Sequence, residues 1–194
     1  MKNLPETIGN LTQLEELVLD KCKALERLPS TLGKLQSLSV LQMRECKAVS
    51  ALPTELGDCA ALVEVGLSKC MGLSALPDSI GALTNLEDLV LAKCKGLERL
   101  PERLGECQSL ALLDLRNCKK LEFLPASLGQ LQRLRSLDVS TCKSLKALPE
   151  SLSNLERLEE LNVENALGLT EIPPTLLEKK GAVLIGWNKD NVTA

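Results

Sequence analysis

Residues 76–99 read LPDSIGALTNLEDLVLAKCKGLER, and residues 100–123 keep the same Leu, Pro, Gly and Leu spacing as LPERLGECQSLALLDLRNCKKLEF. This 24-residue unit occurs seven times and is followed by a shortened eighth unit; the units begin at Leu4, Leu28, Leu52, Leu76, Leu100, Leu124, Leu148 and Ile172. A fixed period of this length is typical of solenoids, in which each repeat packs only against its neighbours. We therefore predict a single domain over 1–194, with seven repeats at 4–171 and a partial repeat and cap at 172–194.

Each unit is interpreted as a strand followed by a return path. In the fourth unit the apolar positions are Leu86, Leu89, Leu91 and Cys94, and the alternation between Leu89 and Leu91 predicts a short strand. The residues between the apolar positions then point away from the core. Since every repeat runs in the same direction, neighbouring strands are predicted to pair in parallel.

The return path is predicted to contain one short helical turn, α or 3₁₀. A Pro at the second position of all eight units suits the first turn of a helix, and the Gly found four residues later in six units is expected to adopt a positive φ and end the turn. Ser153 replaces this Gly in the seventh unit. Helical turns are wider than the strand spacing of about 4.8 Å, so the stack bends with the strands inside the curve. The predicted fold is an α/β solenoid, an arc with a concave parallel β-sheet and short helical turns on its convex side.

The segment Leu-x-x-Leu-x-Leu-x-x-Cys, present at 86–94, resembles the leucine-rich repeat signature, with Cys where many members have Asn. The resemblance covers nearly the whole chain. The Leu-Pro-x-x-Ile/Leu-Gly-x-Leu segment is similar to repeats of plant intracellular immune receptors of the nucleotide-binding leucine-rich repeat type, of plant repeat-only proteins and of the Ras-scaffold group. No part of the chain resembles a nucleotide-binding domain. The resemblance implies an interaction module in plant-type defence or signalling.

Six of the eight cysteines occupy one slot at a constant interval: Cys22, Cys46, Cys70, Cys94, Cys118 and Cys142. Cys59 and Cys107 stand where other repeats have a core Leu. Such a linear ladder does not converge as tetrahedral metal ligands would, so we expect buried free thiols that bond to the loop backbone, and neither a metal nor a cofactor. Reduced cysteines, and an N-terminus without a signal-peptide pattern, predict a cytoplasmic protein.

The residues that alternate with the core positions are predicted to form a concave face that binds a partner protein through shape and charge. These slots vary between repeats, although a merely solvated face would also vary. The predicted binding residues are Glu16, Val18, Val40, Gln42, Arg44, Glu64, Asp88, Val90, Leu112, Asp114, Arg116, Asp138, Glu160 and Asn162. Within this face, Val90, Ala92 and Leu112 are expected to form a small apolar patch.

An alternative site is the lysine rim, which we define as the lysines adjoining the ladder cysteines: Lys21, Lys23, Lys47, Lys69, Lys93, Lys95, Lys119 and Lys143. The rim predicts binding of an anionic polymer or a phosphoinositide, or serves only solubility. A net charge of −3 and only two aromatic residues do not favour binding of nucleic acid.

The chain has no His, nucleophile motif or phosphate loop, so we expect it not to be an enzyme. It also has no apolar run of roughly 20 residues, so we expect no membrane span.

The two ends of the solenoid are predicted to differ. Residues 183–187 are interpreted as a last strand in a C-terminal cap, with Trp187 over the final core positions. At the other end, the core edge of the first repeat, built on Ile8, Leu11, Leu14 and Leu17, is expected to need a cover. A partner, a second copy through self-association, and sequence missing from this chain remain the alternatives.

Overall fold

Eight short strands form one parallel sheet in the order in which they occur along the chain. The computed structural model describes residues 2–179 and 181–187. The strands are β1 Glu16–Val18, β2 Val40–Gln42, β3 Glu64–Gly66, β4 Asp88–Val90, β5 Leu112–Asp114, β6 Ser136–Asp138, β7 Glu160–Asn162 and β8 Val183–Ile185. From β1 to β7 each residue pairs with the one 24 positions later, as Glu64 does with Asp88. The predicted parallel sheet is confirmed.

The helical turns of the return paths are 3₁₀ helices in the seven full repeats, whereas the sequence leaves α and 3₁₀ turns open. They are η1 Glu6–Asn10, η2 Ser30–Lys34, η3 Thr54–Asp58, η4 Asp78–Ala82, η5 Glu102–Glu106, η6 Ala126–Gln130 and η7 Glu150–Asn154, and the eighth unit has the short helix α1 Pro174–Leu177 instead. A Pro with φ near −70° precedes each 3₁₀ helix, and its carbonyl accepts the first helical bond, as Pro77 does from Ile80 N–H at 3.1 Å. The sheet lines the concave side of the arc and the 3₁₀ helices line its convex side.

The core lies between the sheet and the 3₁₀ helices as one continuous cluster. The slots predicted to be apolar are the buried ones: Leu86, Leu89, Leu91 and Cys94 are all 0% exposed. Because the core is a column only one repeat thick, each layer is stabilised by the layers above and below it.

The glycines of the outer turns do not have the predicted positive φ; among the described glycines only Gly181 and Gly186 do. The outer glycines instead provide space between turns. A Cβ atom on Gly105 would lie 2.3 Å from the carbonyl oxygen of Ser127 in the next 3₁₀ helix. The seventh turn, with Ser153, has the same five-residue length and closes with the same bond as the others. The helix that follows it is α1 rather than another 3₁₀ turn.

A left-handed residue before the ladder slot recurs in every full repeat and was not predicted. It has φ between 56° and 64° although it is never Gly, and the residues are Lys21, Glu45, Lys69, Lys93, Asn117, Thr141 and Asn165. In six of the seven, all but Asn165, its N–H bonds to the next repeat, as in Lys69 N–H to the Ala92 carbonyl at 2.8 Å. The inter-repeat bond holds a conformation that most side chains disfavour. Three of these residues, Lys21, Lys69 and Lys93, belong to the lysine rim.

The two ends of the described chain differ in what covers the core. At the C-terminal end β8 pairs with β7, and Trp187 is partly buried against the core. The polar segment after Trp187 lies outside the described residues. At the other end, Leu11 of the predicted open edge is 52% exposed and Ile8 and Leu14 are partly exposed, but Leu17 is only 9% exposed. No helix among the described residues is long and apolar enough to cross a membrane.

Candidate functional site

The concave face consists of three columns of side chains that run across the strands. The first column is Glu16, Val40, Glu64, Asp88, Leu112, Ser136 and Glu160, and the second is Val18, Gln42, Gly66, Val90, Asp114, Asp138 and Asn162. The third follows the strands and contains Asp20, Arg44, Ser68, Ala92, Arg116, Ser140 and Glu164. Sheet register therefore brings twelve of the fourteen predicted residues onto one face, and hydrogen bonds join the other two, Arg44 and Arg116, to Gln42 and Asp114 of that face. That these residues bind a partner stays a prediction.

Two of the predicted contact residues, Gln42 and Asp114, are only 8% exposed. Their side chains therefore offer little surface to a partner and instead hold neighbouring side chains of the face in place. Gln42 lies across Gly66, where a Cβ atom would be 2.0 Å from the Gln42 Oε1 atom. From there the Gln42 amide donates to Glu64 Oε1 at 2.5 Å and accepts from Arg44 Nε at 3.1 Å. Arg44 therefore bonds to the uncharged side-chain amide of Gln42 and not to a carboxylate. The Glu64 carboxylate accepts a hydrogen bond from that amide but forms no ion pair among the described residues.

Asp114 is held by its own repeat. It accepts the Arg116 backbone N–H at 3.0 Å, and the Arg116 guanidinium bonds to its second oxygen at 2.8 Å. Arg116 and Arg44 are the only cations in the three columns. Arg116 is ion-paired with Asp114, whereas Arg44 bonds to an uncharged amide and forms no ion pair among the described residues.

Asp88 is the least compensated carboxylate near the centre of the face. Among the described residues its carboxylate accepts no hydrogen bond and forms no ion pair, and Glu64 stands beside it on β3. Partial burial, and then the charges of Glu64 and Glu87, raise the pKa of Asp88. Its negative charge is therefore unfavourable in the unbound protein, and a cation placed here would relieve it.

The three columns together are strongly acidic. They hold two arginines against eight carboxylates: Glu16, Asp20, Glu64, Asp88, Asp114, Asp138, Glu160 and Glu164. The face thus carries six net negative charges, whereas the whole chain carries −3. Positive charge is correspondingly concentrated on other surfaces.

The predicted apolar patch is smaller than expected. Val90, on the strand of Asp88, and Leu112, which pairs with Asp88 on the next strand, are partly exposed, but Ala92 is only 5% exposed. Val90 and Leu112 lie on adjacent strands in different columns. The usable apolar surface is therefore two side chains beside a carboxylate.

The lysine rim borders this acidic face. Seven of its eight lysines are exposed, and Lys69 is half-buried. Lys69 is also the one rim lysine that forms an ion pair within residues 2–179 and 181–187, with Glu45 at 2.6 Å. The protein therefore presents an acidic face and a basic rim side by side.

Seven of the eight cysteines are buried as predicted, whereas Cys22 in the first repeat is partly exposed. Each of the seven buried thiols donates to a carbonyl 27 residues earlier, in the preceding repeat, as in Cys94 Sγ to Leu67 O at 3.0 Å. The other donors are Cys46, Cys59, Cys70, Cys107, Cys118 and Cys142, at 3.0–3.3 Å. Burial raises the pKa of the Cys59 and Cys142 thiols to about 11 and of the Cys94 and Cys107 thiols to about 12. These thiols thus tie neighbouring repeats together and stay protonated near neutral pH.

One exposed aromatic residue was not recognised from the sequence as a surface feature. Phe123 is 57% exposed and lies 5.1 Å from the Lys146 ammonium, measured to the ring centroid. It pairs with Ala147 in an isolated bridge outside the concave sheet. The available signal was a Phe in a column that otherwise has small or charged residues, such as Ala75 and Arg99.

Comparison with known proteins agrees with this architecture. No protein-family model and no curated protein sequence matches the chain. Among solved structures, a leucine-rich repeat protein of Leptospira interrogans aligns over 97% of the chain with 26% identity and a TM-score of 0.60. The leucine-rich repeat domain of the type III effector XopL aligns over 96% with 22% identity and a TM-score of 0.68. A TDR receptor aligns over 96% with 20% identity and a TM-score of 0.65.

The chain has the leucine-rich repeat fold, as its sheet and these neighbours show. It spans 58% of the Leptospira protein, 73% of the XopL domain chain and 32% of the receptor chain. Repeat solenoids of this kind are used as extended scaffolds for protein interaction.

Proposed function

We propose that this protein is a non-catalytic interaction module that binds a partner protein on its concave face. The observation that carries the proposal is the acidic face itself, in which eight carboxylates face two arginines and Asp88 has no partner among the described residues. Uncompensated charge on a rigid sheet is unfavourable until a complementary surface covers it, and it steers such a surface towards the site.

We propose a cytoplasmic location and a role in plant-type defence or signalling. The location is supported by seven buried thiols that bond to backbone carbonyls as free cysteines. The role rests on the resemblance of the repeat segments to those of plant intracellular receptors and repeat-only proteins.

Charge reversal across the face is expected to abolish partner capture. The variant Glu16→Lys, Asp88→Lys, Glu160→Lys places a cation on β1, β4 and β7, at carboxylates that accept no hydrogen bond within the described residues. We expect recovery of the captured protein from a lysate to fall about tenfold or more, since like charges replace complementary ones. The measurement is quantitative mass spectrometry of protein bound to immobilised bait.

The matched control reverses the same number of charges on the convex side. Glu6, Asp78 and Glu150 each lie in the first turn of η1, η4 and η7, the helices of the same three repeats. We expect the variant Glu6→Lys, Asp78→Lys, Glu150→Lys to capture the partner within about twofold of wild type, since charges far from a contact contribute little. Equal loss in both variants, with folding confirmed by circular dichroism, would contradict the concave site.

A second candidate function is binding of an anionic polymer or a phosphoinositide along the lysine rim. It is favoured by the seven rim lysines that have no ion-pair partner within the described residues. The variant Lys23→Glu, Lys95→Glu, Lys143→Glu in the same capture separates the candidates. If this variant alone loses its ligand, and binding weakens steeply with salt, the rim is the site.

We also propose self-association through the first repeat, because Leu11 and Val18 are exposed and the β1 edge has no neighbouring strand among the described residues. An exposed strand edge readily pairs with another chain. A monomer mass at all concentrations in sedimentation equilibrium would contradict this proposal.

A further inference from the structure

We infer that the concave face takes a single positively charged polypeptide segment, with Lys or Arg side chains over Asp88 and Glu64. The inference rests on the proposed function and names the chemistry of its partner. It follows from the distribution of charge on the face, from the geometry of its columns and from the apolar side chains beside Asp88.

Charge complementarity defines the sign of the partner. Two neighbouring carboxylates, Glu64 and Asp88, stand side by side on β3 and β4 without an ion-pair partner among the described residues, and Arg44 of the third column bonds to Gln42. A neutral or acidic segment laid over this pair would bury it uncompensated, at a large desolvation cost. A basic segment supplies the missing counter-charge.

The shape of the face limits the partner to one segment. The acidic columns run from β1 to β7, about 29 Å at about 4.8 Å for each strand spacing. They are narrow, because strand residues of the same face are roughly 7 Å apart. A long, narrow strip fits one polypeptide segment, of roughly ten residues if it is extended.

The apolar neighbours favour long cationic side chains over simple cations. Val90 and Leu112 are partly exposed on the strands that carry and follow Asp88. Lys and Arg bury their aliphatic stems on such side chains while their charged ends reach a carboxylate. The lysine rim beyond the third column repels the same segment and so confines it to the acidic columns.

The test uses synthetic probe peptides and the full chain. Fluorescence anisotropy measures the affinity of a labelled Lys-Ser-Val repeat peptide and of its Glu-Ser-Val counterpart. We expect the Lys peptide to bind more weakly as salt rises and the Glu peptide not to bind. The variant Asp88→Asn, Glu160→Gln is expected to weaken binding of the Lys peptide about fivefold or more, as loss of close charge pairs does.

The control variant Asp78→Asn, Glu150→Gln removes the same net charge from η4 and η7 and is expected to change affinity less than about twofold. Equal weakening in both variants, no binding of the Lys peptide, or equal binding of the Glu peptide would overturn the inference. Those outcomes leave the proposed function standing if the captured partner still depends on the concave face. Capture that is indifferent to the concave charge reversal would instead overturn the proposed function.

Discussion

Raising the pH from 8 to 10 is expected to lower the free energy of unfolding by roughly 7–10 kcal/mol. Burial holds the pKa of the thiols from Cys46 to Cys142 above their usual value of 9.0. Below pH 9 the thiols are protonated in the folded and in the unfolded chain, so they do not make the free energy of unfolding depend on pH. Above it the unfolded chain loses protons that the folded chain keeps, so stability falls until the pH passes the folded pKa. At pH 10 each of the six buried thiols whose folded pKa is held at about 11 or higher, which are all but Cys46, costs about 1.4 kcal/mol.

Denaturant unfolding at several pH values, under reducing conditions, measures this loss. The chain has no Tyr to titrate in the same range. The control is the variant Cys59→Leu, Cys107→Leu, since Leu35, Leu83 and Leu131 occupy the same slot and are 0% exposed. Removing two thiols should make the loss smaller by about 2–3 kcal/mol, whereas lysine titration is common to both proteins and cancels. Identical losses in the variant and in wild type would contradict the account of the buried thiols.

Replacing Gly105 by Ala is expected to destabilise the protein by about 2–3 kcal/mol. The new Cβ atom would lie 2.3 Å from the Ser127 carbonyl oxygen and 2.7 Å from the Ser127 Cβ atom, so η5 and η6 must separate. Where the backbone is unstrained, Gly→Ala usually stabilises by about 0.4–1 kcal/mol, because it reduces the entropy of the unfolded chain. Gly105 does not have a positive φ, so the expected loss comes from contact between turns.

Ser153→Ala is the matched control for Gly105→Ala. It occupies the same slot in η7, and the Cβ atom is already present there. We expect a change within about 0.5 kcal/mol in thermal or denaturant unfolding. A Gly105→Ala protein as stable as the Ser153→Ala protein would show that the glycines do not serve the spacing between turns.

The repeat architecture could be predicted from the sequence because it depends only on the spacing of Leu, Pro, Gly and Cys along the chain. An interval of 24 residues decides which side chains stack, so the core slots and the first two columns of the face followed directly. Leu89 in the core and Asp88 on the face are both where the alternation places them. Sheet pairing between repeats needs no further information once every unit runs in the same direction.

Features that depend on three-dimensional contact between repeats could not be predicted in this way. A glycine that provides space and a glycine that adopts a positive φ look the same in a sequence. The positive φ predicted for the glycine position of Gly105 is therefore wrong, and the glycine is needed there for the space between turns. The burial of Gln42 depends on the absence of a side chain at Gly66, on the next strand. Alternation indicates the face on which a residue lies, but not whether its side chain lies flat beneath its neighbours.

The left-handed residues before the ladder slot were missed for a related reason. Thr141 and Glu45 have no preference for positive φ, and the sequence therefore gives no sign of it. The conformation is imposed by inter-repeat bonds, such as Thr141 N–H to the Glu164 carbonyl at 2.7 Å. A local sequence pattern cannot report a bond to a residue in the next repeat.

Photo-crosslinking from the concave face tests the central claim most directly. A photo-reactive amino acid is placed at the position of Leu112, in β5 on the acidic face, and in a second protein at Ala126, at the start of η6 on the convex side. Our account predicts a crosslinked partner protein from position 112 and none from position 126. A partner crosslinked from position 126, or none from position 112 while the protein still captures its partner, would contradict it.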